Sequence, residues 1–319
     1  MPFELAAAHF QLTVRCNLNC TFCGQSRGMA GAAADEISVE EWLDYAAQLR
    51  NITSTPPTLT LWGGEPMLYE KFNELAEKLH SAGHPLHTVT NATGIEGSAD
   101  TLNRCFENIF ISLDGMKTEH DAVRGKGVFD KVISNISLLR ERVGKLTFLC
   151  TVSDANVRKI PELLPQMAQL GCDEIVLQQL MYLTRSEIEE YRKFSKEVFL
   201  VDYPELTGWQ RDDDTSYRNL LNEMLSEIEG KKYAVPVCFT PHAYWFSPDA
   251  EPCRKSEKRI HIRHDGEVGF CTDYFGFSAG NVRLSPLCDI LNSERAHLFH
   301  EAVKQHKLPL CRHCPWRLQ

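Results

Sequence analysis

Three cysteines on one short loop constrain this chain more than any other feature. The ten residues Arg15–Gly24 read RCNLNCTFCG, so Cys16, Cys20 and Cys23 are separated by three and then two residues, directly after the apolar stretch Phe10–Val14. Such a loop wraps three thiolates around one face of a small inorganic core and has no fourth to offer. A cubane iron–sulfur cluster has four irons, and cysteine thiolate is its usual ligand. Three thiolates therefore leave one iron open to something that is not protein. Phe22 stands just before the third cysteine. Zinc is the rival: structural zinc almost always takes four protein ligands, commonly as two spaced pairs. This trio has no obvious fourth neighbour.

The rest of the composition is that of an ordinary globular chain. Of 319 residues, 43% are hydrophobic and 24% charged, and the net charge of −9 argues against a general nucleic-acid binder. No apolar run has the eighteen or so residues of a membrane helix, and MPFELAAAHF lacks the basic and apolar regions of a signal peptide. Twelve cysteines without a secretion signal point away from disulfides. A reducing cytoplasm that assembles iron–sulfur clusters accounts for them best, so the expected location is cytoplasmic. Seven of the twelve fall into two ligand-like groups, one at each end of the chain.

From Phe10 to about Gln179, short apolar runs alternate with amphipathic stretches, which reads as repeated βα units. Strands are expected at Phe10–Val14, Leu59–Trp62, His87–Thr90, Ile109–Leu113, Leu146–Val152 and Glu174–Leu177. A helix starts at the capping-box sequence Ser38…Glu41, and others are expected at about 70–82, 99–105, 128–142 and 160–170. The expected fold is α/β: a partial (β/α)6 TIM-like barrel over residues 1–185, with ligands at the carboxyl ends of the strands. Glu187–Leu200 and Ser216–Glu229 read as helices of a bridge over 186–235, jointed at Asp212–Asp214. Residues 236–319, rich in Cys, Pro, Gly and aromatics, suit a small α+β domain nucleated by a cluster.

The remaining motifs fall at strand ends. Gly63-Gly64-Glu65-Pro66 follows the second strand; its glycines let backbone approach a ligand, and Glu65 and nearby carbonyls can accept from an ammonium group. Asn91 ends the third strand, and Ser112 and Asp114 stand in Ile111-Ser112-Leu113-Asp114-Gly115 at the end of the fourth. His120, Arg124-Gly125 and Phe129 form an H-x3-R-G-x-G-x-F stretch, and the guanidinium of Arg124 matches a carboxylate bidentately. In the tail, Cys253 is followed by twelve residues, Gly266, four residues and Cys271, and then by Cys311 and Cys314 in CRHC. Arg259–Arg263 and Glu267–Phe270 alternate like strands joined at the turn His264-Asp265-Gly266. That hairpin brings Cys253 to Cys271, and a helix over Leu287–Val303 returns CRHC to complete four thiolates. A zinc ribbon is the competing reading.

Taken together, C-x3-C-x2-C, GGEP and the serine of the fourth strand resemble the radical S-adenosylmethionine (SAM) superfamily. The resemblance implies a 4Fe-4S cluster on Cys16, Cys20 and Cys23 whose open iron chelates SAM, and reductive cleavage to a 5′-deoxyadenosyl radical. It implies cofactor contacts from Phe22, Gly63, Gly64, Glu65, Pro66, Asn91, Ser112, Asp114 and Arg124. The H-x3-R-G-x-G-x-F stretch is similar to one in the peptide- and sulfatase-modifying subgroup. The tail resembles the twitch domain, a shortened SPASM domain, and implies one auxiliary 4Fe-4S cluster on Cys253, Cys271, Cys311 and Cys314, because the chain stops five residues later.

The implied activity is modification of a ribosomal peptide by epimerisation, cross-linking or oxidation. The alternatives are a dehydrogenase or epimerase of an aminosugar or aminocyclitol and, in another class, a non-catalytic iron–sulfur or zinc protein. Only about nine residues precede the first strand, so no N-terminal peptide-recognition domain is expected, which weighs against the peptide reading without ending it. The expected partners are a peptide or small polar substrate and a flavodoxin or ferredoxin reductant, with no nucleic acid and no membrane. Cys238, and after it Cys288, is a candidate hydrogen donor to a substrate radical. Cys105, Cys150 and Cys172 read as core, and Tyr244, Trp245 and Phe246 read either as a cavity wall or as core.

Overall fold

The computed structural model describes residues 3–24, 36–202, 206–239, 253–274 and 276–314. The first strand, β1 (Ala7–Thr13), is two-faced. Ala8, Phe10 and Leu12 are fully buried on its outer side, where Phe10 stacks on Trp42 at 4.5 Å, while Ala7 and His9 face the interior of the sheet's curve. Trp42 belongs to helix α1 (Val39–Ile52), which starts at the expected capping box: Ser38 accepts from Glu41 N and Glu41 reaches back to Ser38 N.

The same alternation repeats through β2 (Thr58–Gly63), α2 (Phe72–Ser81), β3 (Leu86–Thr90), α3 (Ala99–Cys105) and β4 (Asn108–Ser112). It continues through α4 (Lys117–Arg124), α5 (Val128–Ile136), β5 (Lys145–Val152), α6 (Ile160–Met167) and β6 (Glu174–Gln179). All six expected strands form, each parallel to its neighbours. The bridge holds α7 (Arg185–Phe194) and α8 (Asp214–Ile228), and the acidic joint supplies the cap of α8, since Asp213 accepts from Ser216 N.

The sheet is wider than six strands. A two-residue strand, β7 (Val237–Cys238), joins β6, and β8 (Arg259–Ile262) joins the other side of β1, both parallel. An antiparallel hairpin runs on from β8 through β9 (Glu267–Gly269) to β10 (Gly280–Asn281). Ten strands thus run β10-β9-β8-β1-β2-β3-β4-β5-β6-β7, and the tail continues the barrel sheet directly.

Three helices expected as single rods are broken. The 128–142 stretch leaves α geometry at Ile136 for a 3-10 turn, where Ser137 Oγ donates back to Ser134 O. The 187–200 stretch ends in a π turn over Ser195–Phe199 closed by left-handed Leu200 (φ 56°). The 287–303 stretch splits into α9 (Leu287–Leu291) and α10 (Glu294–Lys304), because Ser293 turns extended and caps the second helix by accepting from Ala296 N.

Candidate functional site

The Cys16–Cys23 loop leaves the carboxyl end of β1; Leu18 N donates to Cys16 Sγ and Cys23 N to Cys20 O within it, and its neighbours hold it from outside. Arg15 fixes its start: the guanidinium donates to both oxygens of Glu36 at 3.1 and 3.0 Å and to Leu68 O at 2.7 Å. Asn17 donates to Thr93 Oγ1 at 2.8 Å and accepts from Asn91 Nδ2 at 2.9 Å, while Thr21 N donates to Val123 O at 3.0 Å. The three sulfurs are near enough that Cys16 and Cys23 both act electrostatically on Cys20, and burial pushes the Cys16 and Cys20 thiols up.

The GGEP turn packs its glycines against this loop. A Cβ on Gly63 would sit 2.3 Å from Thr13 O, and one on Gly64 only 2.1 Å from Arg15 O. The close approach that glycine permits is therefore to the backbone of the cysteine loop, where the sequence suggested a ligand. Glu65 is likewise turned inward. It is 1% exposed and accepts from Thr90 Oγ1 at 2.6 Å and Asn91 N at 2.8 Å, bracing the ends of β2 and β3. Burial outweighs those hydrogen bonds and raises its carboxyl to about 6. Pro66 opens a 3-10 turn that Glu65 caps by accepting from Met67 N.

At the end of β4, Ser112 is half-buried while Asp114 is fully buried. Asp114 accepts from Thr151 N at 2.9 Å and forms an ion pair with Arg124, Nε to Oδ2 at 2.6 Å. Arg124 then leans outward, with Nη1 3.8 Å from Cys20 Sγ and the guanidinium carbon 5.5 Å from the Phe22 ring centre. All three of its nitrogens are thus engaged within the protein, Nε and Nη2 on Asp114 and Nη1 on Cys20, so the carboxylate that Arg124 pairs here is the chain's own Asp114. His120 accepts from Asp114 N at 3.2 Å; burial first, then Arg124, lower its imidazole to about 4 and keep it neutral.

The second group also converges. Cys253, Cys271, Cys311 and Cys314 all line one cavity of about 550 Å3. CRHC is anchored to the bridge by a bidentate Arg312–Glu190 pair at 2.8 and 2.7 Å and by His313 Nε2 to Glu187 Oε1 at 2.8 Å, and to β6 by Gln179 Nε2 donating to His313 O. The interior strand faces of the barrel form the rest of the wall, including His9, Trp62, His87 and His261. Among the described residues, no three His, Cys, Asp or Glu side chains close on one point as a single ion requires.

A second cavity of about 350 Å3 opens beside Phe22 and is lined also by Ser153, Asp154, Tyr182 and Arg211. Ser153 Oγ is buried there with no hydrogen-bond partner among the described residues, as fits a hydroxyl awaiting a bound molecule. Met181 lines both cavities, so the two adjoin. Sequence reading missed Ser153, Trp62 and His261. Trp62 and His261 stand on the inward half of their strands' alternation, which shows the face but not the unmet bonding, and Ser153 directly follows β5.

Neither candidate hydrogen donor is near these features. Cys238 Sγ donates to Glu174 Oε1 at 3.2 Å, and Glu174 begins β6, so the thiol is drawn to the amino end of that strand. The cysteine loop follows the carboxyl end of β1. Cys288 is exposed on α9, which packs outside the barrel: the adjacent Leu287 N donates to Gln48 of α1 at 2.9 Å. Cys105, Cys150 and Cys172 are buried, as expected. Tyr244, Trp245 and Phe246 lie outside the described residues.

The comparisons with known proteins agree with this geometry. Residues 10–167 match the model of the radical SAM superfamily, and residues 253–315 match that of the SPASM iron–sulfur cluster-binding domain. The pre-heme d1 synthase of Dinoroseobacter shibae is 30% identical over 189 residues, covering 55% of this chain and 44% of the relative. The AdoMet-dependent heme synthase of Methanosarcina barkeri is 25% identical over 303 residues, covering 92% and 83%. The sporulation killing factor maturation protein SkfB of Bacillus subtilis is 25% identical over 263 residues, covering 80% and 62%. The chain thus spans less than two thirds of the first and third of these. Among solved structures, Streptococcus suis SuiB bound to SAM superposes with a TM-score of 0.70 at 15% identity, covering 98% of this chain and 72% of SuiB, which supports the fold. SuiB bound to its precursor peptide SuiA gives 0.64. The cofactors that follow are a 4Fe-4S cluster, SAM and an auxiliary iron–sulfur cluster. The chain belongs to the radical SAM superfamily and ends in an iron–sulfur cluster-binding domain of the SPASM type.

Proposed function

We propose that this protein is a maturase that removes a hydrogen atom from an unactivated carbon of a ribosomal peptide. The observation that carries the reading is the pair of adjoining cavities, one beside Phe22 and the cysteine loop, the other reaching the four tail cysteines. A substrate in the larger one has a radical source on one side and an electron carrier on the other. The cluster and SAM, when bound, supply a 5′-deoxyadenosyl radical. Cys16, Cys20 and Cys23 would hold the first cluster, with Arg124 and Asn91 beside its sulfurs. Cys253, Cys271, Cys311 and Cys314 would hold one auxiliary cluster. Four protein thiolates leave such a cluster no open iron, so its role is to pass an electron, and a flavodoxin or ferredoxin delivers the first.

The names of SkfB and of the SuiB complex with SuiA support a peptide. A tetrapyrrole is the second reading, favoured by two relatives named as heme synthases. The test is anaerobic reconstitution with iron and sulfide, then dithionite and SAM. Absence of 5′-deoxyadenosine removes the enzyme reading. A precursor peptide or an iron porphyrin that raises 5′-deoxyadenosine above the uncoupled level decides the substrate class. In D2O, epimerisation leaves solvent deuterium on carbon, whereas oxidation leaves a product lighter by two hydrogens.

Ser153→Ala is expected to weaken SAM binding about two- to tenfold, the worth of one hydrogen bond. Stability should hold, because Ser153 N keeps its 2.8 Å bond to Asn156 Oδ1. Equilibrium dialysis and a thermal melt check both. Cys238→Ser and Cys288→Ser are expected to keep full turnover, since neither thiol lines either cavity. A strong loss in either variant would restore a thiol donor to the mechanism.

A further inference from the structure

The larger cavity carries two side chains whose buried polar atoms have no hydrogen-bond partner among the described residues. His261, on β8, is 4% exposed, and both its ring nitrogens lack a hydrogen-bond partner among the described residues; Trp62 Nε1, on β2, is buried and lacks one too. The two rings meet edge to face at 5.0 Å, on the strands that flank β1, and both line the cavity. Leaving several such groups unmet inside one protein is destabilising, and a phenylalanine or leucine at either position would avoid it.

We propose that Trp62 and His261 are the substrate-positioning pair of this enzyme, and that they grip backbone amide groups of the bound peptide. The chemistry matches group by group. A neutral imidazole offers one N–H and one lone pair, and the indole offers a second N–H. Neighbouring peptide units present two carbonyl oxygens and an N–H to satisfy all three. A carboxylate or phosphate would leave the imidazole lone pair facing an anion. Burial, together with His9 and Arg263, holds His261 well below the ordinary imidazole range, so it stays uncharged as an amide partner should.

This inference rests on the peptide reading above, and its test is separable from that reading. The probe is N-acetylglycine methylamide, which carries two amide units, and its contact with anaerobically reconstituted protein is read by saturation-transfer NMR. Wild type and His261→Gln, which keeps a donor and an acceptor, are expected to show the signal. His261→Phe and Trp62→Phe are expected to reduce it several-fold. Without probe, His261→Phe should leave the melting temperature unchanged or raise it by about 2–4 °C, since an unmet buried group is gone. Equal signals in all variants, no signal in wild type, or a lower melting temperature for a folded His261→Phe would each overturn the assignment. If His261→Phe does not fold, Trp62→Phe decides alone. Uncoupled 5′-deoxyadenosine formation is measured on the same samples. Its absence in wild type sinks the enzyme reading and leaves the amide grip standing, whereas its presence with no probe signal sinks the grip alone.

Discussion

Alanine in place of Gly64 is expected to strip iron from the first cluster site while leaving the second loaded. The added methyl would stand 2.1 Å from Arg15 O, 2.6 Å from Arg15 C and 2.7 Å from Val14 O. All three are backbone atoms, so no side chain can swing aside. The contact is pinned on both flanks, because Gly64 N donates to Thr13 O and Glu65 N donates to Arg15 O, each at 2.8 Å. Relief requires the strand end and the cysteine loop to separate, which drags Arg15 off Glu36 and moves Cys16. Iron per chain should fall by about half, since two four-iron clusters are reduced to one. SAM cleavage should fall by about a hundredfold or more, the cost of misplacing a reacting group by an ångström. Gly97→Ala is the control, for a Cβ there meets nothing within 4 Å. Full iron in Gly64→Ala would show that the glycines serve some other purpose.

The second large effect is expected at Asp114. Its carboxylate is fully buried and pairs with a guanidinium whose side chain is 9% exposed. Asp114→Ala leaves Arg124 charged and enclosed, which costs about 3–5 kcal/mol. At roughly 2–4 °C per kcal/mol for a chain of this size, the apoprotein should melt about 10 °C lower. Asp114→Ala with Arg124→Met removes both charges and should recover most of that loss, because an apolar pair fills the same space without desolvation. SAM cleavage should stay low in the double variant, since the cation beside Cys20 and Phe22 is gone. If the double variant cleaves SAM at the normal rate, Arg124 only holds β4 to α4.

How much of this was legible in the sequence follows the range of the interactions. The six barrel strands carry their own alternation, and the capping box at Ser38 is complete within four residues, so both were readable. The cysteine trio and the GGEP turn were readable as motifs, yet the partner of the glycines was not, since it is the backbone of a strand nearly fifty residues earlier. Arg124 shows the same limit: its fork announces a carboxylate, and only the fold reveals that Asp114 is that carboxylate. Strand β8 was readable as half of a hairpin while its pairing with β1 was not, and the two-residue β7 gains its identity only from a neighbour far away in the chain. The position of Cys238 was hidden for that reason, because pairing with β6 draws its thiol to Glu174. Ser153, Trp62 and His261 belong to no motif. What marks them is unmet bonding in an enclosed space, a property that exists only once the walls are assembled.

The pairing of β8 with β1 joins Ala7 to Arg259 and Phe10 to Ile262. During synthesis, β1 therefore waits with one ladder of N–H and C=O groups bare until the much later β8 has left the ribosome. A bare edge of that kind invites pairing with other chains, and so distant a closure is slow to form. Truncated or stalled products that lack β8 should accordingly be aggregation-prone.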